Sequence, residues 1–269
     1  MKHFLIAISF LFFQKSIGQE LFLMTDPASN VPANSVGVNV LQSAFERTIN
    51  SEYIYSMMPE VTYGLNRNLM FRATAFLSNR DKGLQAEGGS FMAKYRFYSE
   101  DDLNSHFRMA AFGRYSFNNG SIRQEQLEIM GRNSGFETGL VATKLIKKLA
   151  VSSTVSFEKV FDNEPNHTFP HQLGDHATNY TLSFGQLIYP KKYTSLKQTN
   201  INLMLEFVGQ TINENGKSYI DVVPVVQFIF NSQARLDVAY RKELLSSMVR
   251  SAPDGVYLNL YYTFFNVKK

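Results

Sequence analysis

The chain has 269 residues, of which 44% are hydrophobic, 14% aromatic and 19% charged, with a formal net charge of +4. It contains no Cys, which excludes disulfides, thiolate nucleophiles, Fe–S clusters and cysteine-type zinc sites. The charged fraction falls below the ~25% usual for a soluble domain, and the positive charge is spread along the chain, so it gives no nucleic-acid footprint.

At the N-terminus, "MKHFLIAISFLFFQKSIGQ" places Lys2 and His3 before an apolar run Phe4–Phe13, then Ser16, Ile17 and Gly18. This order predicts a secretory signal peptide over 1–18, cleaved after Gly18. The run is too short for a membrane helix, which needs roughly 20 residues. No later stretch is longer, so insertion into a bilayer has to be by β-barrel. Residues 19–34, with Pro27 and Pro32, read as an extended periplasmic lead-in.

From Ser35 onward the pattern has period two, the signature of strands with two unlike faces. Twelve strands are predicted: 35–47, 54–65, 69–80, 85–98, 105–117, 135–146, 149–160, 177–189, 199–212, 218–231, 234–246 and 255–267. The third sets Leu69, Phe71, Ala73, Ala75 and Leu77 against Arg72, Thr74 and Ser78. The ninth sets Ile201, Leu203, Leu205 and Phe207 against Asn202 and Glu206. A soluble β-sandwich or lipocalin-like barrel alternates in the same way. Length separates the two, because these strands exceed the 5–6 residues common in globular proteins and cover the 9–11 needed to cross a bilayer. Gaps after even strands include the tight 66–68, 147–148 and 232–233, whereas the longest gaps, 118–134 and 162–176, follow odd strands. Short periplasmic turns and long outer loops alternate in this way in outer-membrane barrels. The fold expected for 35–269 is therefore an all-β, antiparallel transmembrane barrel of about twelve strands with both termini periplasmic. A strand over 123–130 would raise the count to fourteen. Tyr53, Tyr55, Tyr63, Tyr98, Tyr115, Tyr189, Tyr219 and Phe264 stand near strand ends, as girdle aromatics do. Pro224 within a strand calls for a bulge or an interrupted ladder.

The closing "YLNLYYTFFNVKK" resembles the C-terminal aromatic signal read by the barrel-assembly machinery, with Phe264 or Phe265 in the place of the terminal aromatic and the tail 266–269 as a departure. The stretches "TDPASNVPANSVGV" (25–38), "MPEVTYGLNRNLM" (58–70), "KYRFYSEDD" (94–102), "HFRMAAFGRYS" (106–116), "YPKKYTSLKQTN" (189–200) and "VVQFIFNSQARLDVAYR" (225–241) resemble an uncharacterised outer-membrane β-barrel family of Bacteroidota. Its members are described as transporters and are loosely similar to the phenol-degradation barrels of the MetA pathway. The resemblance implies fold and outer-membrane location and carries no functional residues.

If the polar face points inward, strands three to five bring Arg72, Lys94, Arg96, Arg108 and Arg114 into the lumen. Strands nine to eleven bring Glu206, Asp221, Asp237 and Arg241, and Glu60 can join either set. A basic wall then stands opposite a mainly acidic one. With water between them the walls set a field that selects small polar solutes; in contact, they pair and plug the barrel. The expected function is passive or gated passage of small polar solutes. The alternative is a non-conducting barrel that binds a ligand, metal or partner through its outer loops. There His167, His171 and His176 lie beside Asp162, Glu164 and Asp175, and these ligand types suit Zn²⁺, Cu²⁺ or Ni²⁺. No cofactor is expected. No enzyme is expected either, since the chain has no His-x-Ser or Gly-x-Ser-x-Gly, and the adjacent Ser105 and His106 point to opposite faces of a strand.

Overall fold

The computed structural model describes residues 22–48, 52–81, 83–102, 105–163, 167–170, 173–190 and 197–267. The expected signal peptide and His171 lie outside the described residues. Twelve strands form one closed antiparallel barrel in which each strand pairs with its sequence neighbours and β1 with β12. They are β1 (Val36–Glu46), β2 (Tyr53–Gly64), β3 (Leu69–Ser78), β4 (Gln85–Asp102), β5 (Ser105–Asn118), β6 (Ser134–Ile146), β7 (Leu149–Phe161), β8 (His176–Tyr189), β9 (Asn200–Ile212), β10 (Ser218–Phe230), β11 (Ala234–Ser246) and β12 (Gly255–Phe264). The closing ladder runs from Val36 opposite Phe264 to Phe45 opposite Gly255, so the aromatic C-terminal segment seals the barrel.

The faces are inverted relative to a soluble protein. Phe91, Leu140, Val155, Leu203, Leu205, Leu258 and Leu260 are exposed on the outside, while Lys94, Glu206, Asp221, Gln227 and Asp237 are buried inside. An outer band of this kind is stable only when lipid covers it.

Residues 123–130 form no strand. Loop 119–133 instead folds into the barrel, so the strand count is twelve. β4 extends to Asp102, because Asp101 and Asp102 continue the ladder opposite His106 and Ser105. At Pro224, which has no N–H to give, the ladder to β11 lacks the pairs for Val223 and Pro224, and a register shift sits just before them between Ile220 and Asp221. Pro59 leaves the same kind of gap between β2 and β3. Tyr219 departs from the girdle pattern. It shares the inward parity of Asp221 and packs beneath Arg250, whose guanidinium lies 4.0 Å from the ring centroid.

The lead-in also departs from expectation, since residues 22–34 lie inside the barrel. Gly64 allows the entry: a Cβ there would stand 2.3 Å from the Pro32 carbonyl oxygen. Asn34 N–H donates to the Gly64 carbonyl at 2.8 Å and fixes the chain where it turns inward.

The band on the outer face carries a measurable consequence. Leu205→Arg, in mid-strand on that face, is expected to cost about 2–4 kcal/mol, and Phe264→Arg, at a strand end, near zero to about 1 kcal/mol. Urea titration of folding into lipid vesicles measures both.

Candidate functional site

β1 begins and β12 ends at the same end of the barrel, termed here the terminal end; loop 119–133 belongs to the opposite, loop end. From the terminal end, residues 34 back to 22 run through the lumen between two walls. On one side the Glu206 carboxylate, midway along β9, accepts backbone N–H bonds from Leu23 (2.8 Å), Met24 (3.1 Å) and Thr25 (2.9 Å). Ser183 on β8 donates to the same carboxylate at 2.9 Å, and its hydroxyl lies 2.6 Å from that of Thr25. Three successive amides converging on one buried anion form a charge-assisted cradle.

On the other side Asp26 meets the basic wall. Arg72 on β3 grips it as a fork, with Nη1 2.7 Å from Oδ2 and Nη2 3.1 Å from Oδ1. Lys94 on β4 lies 3.3 Å from Oδ1 and also donates to the carbonyls of Pro27 (2.7 Å) and Ser29 (3.1 Å). Arg108 on β5 donates to the Ser29 hydroxyl at 2.8 Å, and Ala28 N–H donates to Thr143 on β6 at 2.9 Å. The remaining members of the basic wall are placed otherwise. Arg114 pairs with Glu137 directly across the ladder at 2.6 Å. Arg96 is half-buried near the terminal end, where its backbone N–H donates to the Asn68 carbonyl at 2.7 Å. Glu60 pairs with the Nε edge of Arg72 at 3.1 Å and leaves the fork to Asp26.

The acidic wall is paired locally. Asp221 is held by Arg241 (2.6 Å) and by Arg250 (2.7 Å) of loop 247–254, which turns back into the barrel. Asp237 accepts from Gln227 (2.9 Å) and Asn259 (2.8 Å) and lies 3.0 Å from Arg235. The two walls therefore meet through residues 22–29, and neither faces the other across open water at that level.

Loop 119–133 fills the loop-end half. Leu127 N–H donates to the Gln210 side chain (3.0 Å), which returns a bond to the Leu127 carbonyl (2.9 Å); Ile129 N–H donates to Glu158 (2.9 Å). Leu127 and Ile129 join Val160, Phe169, Ala177, Ile212, Tyr219 and Met248 in a small apolar core. Between this loop and β1–β3 remains a cavity of ≈ 40 Å³, room for about one water by volume.

The expected histidine cluster is only partly assembled. His167 Nε2 lies 3.4 Å from the Ser121 hydroxyl. His176 Nδ1 faces a different pair, 2.5 Å from Asp175 Oδ1 and 2.6 Å from Glu214 Oε1. Glu214 was not legible as a partner because it comes from the connection after β9. Gly174 makes its approach possible, since a Cβ there would stand 2.4 Å from Glu214 Oε2.

Asp26, Arg250 and Gln210 were also missed. The sequence signal for Asp26 was a surplus: Arg72, Lys94 and Arg108 share the inward face of adjacent strands with too few carboxylates among them.

No family model matches the chain, and neither does any curated protein. Among solved structures, the COG4313 outer membrane channel from Pseudomonas putida F1 is 16% identical, with 89% of this chain and 98% of that one covered at a TM-score of 0.55. The KdgM porin is 11% identical, covering 85% of this chain and 99% of that one at a TM-score of 0.48. With the first of these the chain shares its fold, the closed antiparallel β-barrel of an outer-membrane protein.

Three loop carboxylates that hold the loop end together stand below their ordinary range. Asp81 is pushed up by burial, but hydrogen bonds from Ser121 and the Arg123 charge outweigh that. Asp254 is likewise pushed up by burial and brought lower by the Glu243 N–H and Lys242. Glu125 is lowered by Lys217 and the Val249 N–H. Groups lowered on folding stabilise above their unfolded values and lose that contribution as they protonate. Protection from hydrogen exchange across 119–133 and 247–254, taken relative to the intrinsic rate at each pH, is therefore expected to be unchanged from neutrality to about pH 5 and to fall below about pH 4, the ordinary carboxyl range.

Proposed function

We propose that this barrel passes small polar solutes across the outer membrane and that residues 22–34 gate it from the terminal end. The observation that supports this reading is how the segment is held. The N–H groups of Leu23, Met24, Thr25 and Ala28 donate to side chains of the wall. Such bonds exchange with water or solute while every strand ladder stays intact. The short connections at the terminal end favour the periplasm for that side, with residues 1–18 as the cleaved export signal and the barrel-assembly machinery as the inserting partner. The selecting groups are then the inward charges Arg72, Lys94, Arg108 and Glu206, with Asp221, Asp237 and Arg241 shaping the loop-end half.

The absence of Cys gives a clean test of gating. In Thr25→Cys/Ser183→Cys the two sulfurs replace hydroxyls 2.6 Å apart. In planar bilayers the oxidised protein is expected to be silent and the reduced protein to show conducting steps. Equal conductance in both states would sink the gate, and silence of the wild type, of the reduced variant and of Asp26→Asn, all shown folded by heat-modifiable gel migration, would sink passage itself.

A second reading, binding through the loop end, is favoured by the convergence of Asp175, His176 and Glu214, whose ligand atoms lie within 4.8 Å of one another. An imidazole and two carboxylates suit a divalent transition metal. Calorimetric titration with Zn²⁺ is expected to show one site per chain, lost in both His176→Gln and Glu214→Gln and kept in His167→Gln. A titration without heat, or one that is the same in all four proteins, would dismiss it.

A further inference from the structure

The terminal-end gate is held by a group that looks like a ligand. All the described partners of the buried Lys94 ammonium come from residues 26–29: Asp26 and the carbonyls of Pro27 and Ser29. The wall supplies none. Arg72 is divided in two. Its Nε edge is held by the wall, through Glu60 at 3.1 Å and Thr62 at 3.3 Å, while its Nη1/Nη2 fork is committed to Asp26 alone among carboxylates. Glu60 therefore fixes the guanidinium plane whether or not Asp26 is present. A pre-oriented fork with an ammonium beside it is the arrangement that recognises a planar carboxylate bidentately. Arg108, held from the wall by Asp101 at 2.9 Å, extends the site through its other edge, which donates to the Ser29 hydroxyl. Across the lumen, Glu206 accepts three N–H donors from the residues immediately before Asp26.

We propose that Arg72, Lys94 and Arg108 form a carboxylate-binding site, that Asp26 occupies it as an internal ligand when the gate is closed, and that the transported solute is a small hydroxylated carboxylate that takes the place of Asp26. The carboxylate goes to the Arg72 fork and Lys94. The hydroxyls replace the backbone donors at Glu206, which rejects a second anionic group and accepts donors. This inference rests on the reading of the barrel as a gated passage and names its solute class. It also explains why the gate does not need its own latch: the solute that is to pass competes for the group that closes the path, so occupancy and opening are linked through one site.

The probes are gluconate and its neutral counterpart sorbitol, which share a hydroxylated chain and differ at the carboxylate. Calorimetry on detergent-refolded protein is expected to show gluconate binding at least 10-fold tighter in Asp26→Asn than in the wild type. The gain should vanish in Asp26→Asn/Arg72→Gln, and sorbitol should give no binding in any of them. In the unaltered protein, gluconate and not sorbitol should quicken hydrogen exchange over 22–34, a readout that does not depend on whether the variants fold. Equal gluconate affinity in wild type and Asp26→Asn, or a gain that survives Arg72→Gln, would overturn the site. So would unchanged exchange over 22–34 in the wild type. Sulfate or phosphate binding as tightly as gluconate would overturn the carboxylate assignment. Conductance recorded in parallel separates the two claims. Gluconate binding to a protein that never conducts refutes passage and leaves the site; conduction without binding refutes the site and leaves passage.

Discussion

A cation inside this wall has to find a partner, because an ammonium taken from water without one is among the most costly groups a fold can bury. Lys94 is the sharpest case. Its neighbours across the ladders are Met70 and Phe112, neither of which can accept a proton-rich head group. The carboxylate and carbonyls it uses arrive from residues 26–29, which precede every strand. The inner segment thus both covers Lys94 and the Arg72 fork and supplies their partners, and the Glu206 carboxylate on the far wall holds it across the lumen. One constraint gives the inner segment its depth, its direction and its contact with both sides.

The two halves of the barrel are closed by different physics. At the loop end, loop 119–133 is tied to β5 and β6 at its two ends and buries Leu127 and Ile129 among wall residues, so moving it exposes an apolar core. At the terminal end, residues 23–29 are held chiefly by hydrogen bonds and ion pairs, each of which has a polar substitute in water or solute. Segments that open at low cost are those with few buried apolar contacts and replaceable polar ones. The apolar contacts are Phe22, packed against Met204 and near Gly185, Leu23 and Met24 against the same cluster, and Ala28 against Ala110 and Val141; they set how firmly the segment is seated.

The sequence carried the wall well and its contents poorly. Alternation in "FRATAFLS" and "LNLYYTF" named strands to within three residues at either end, because lipid on one side and a mainly polar lumen on the other impose period two along most of the membrane-crossing length. It lost accuracy where that contrast ends. "SEDD" reads as a turn, yet Asp101 and Asp102 pair on past the apolar band, since a ladder does not need an apolar face. "QEQLEIM" alternates like a strand and docks as a loop, its Leu127 and Ile129 N–H groups satisfied by Gln210 and Glu158 side chains instead of a neighbouring strand. Residues 22–34 have no strand or helix period, because they are held one by one by side chains of β3, β4, β5, β6 and β9; contacts of that kind leave no local pattern to read.

The inward charges divide by how far along the chain their partners lie. Arg114 with Glu137, Asp221 with Arg241, and Asp237 with Gln227 and Asn259 are paired between adjacent strands, some 10 to 23 residues apart. These pairs persist in any state in which the barrel is closed, so they belong to the wall. Arg72 and Lys94 reach Asp26 across 46 and 68 residues, and Glu206 reaches Leu23 across 183. No strand ladder fixes those contacts; only the position of the inner segment does. A charge whose partner is supplied by the wall is committed to structure, whereas one whose partner is a removable segment presents, on release, an oriented and unsatisfied group to whatever enters. By that criterion the lumen residues that discriminate among solutes are Arg72, Lys94 and Glu206, joined by the one edge of Arg108 that meets Ser29, its other edge being held by Asp101 of the wall at 2.9 Å; Arg114, Asp221, Asp237 and Arg241 keep the barrel in shape around them.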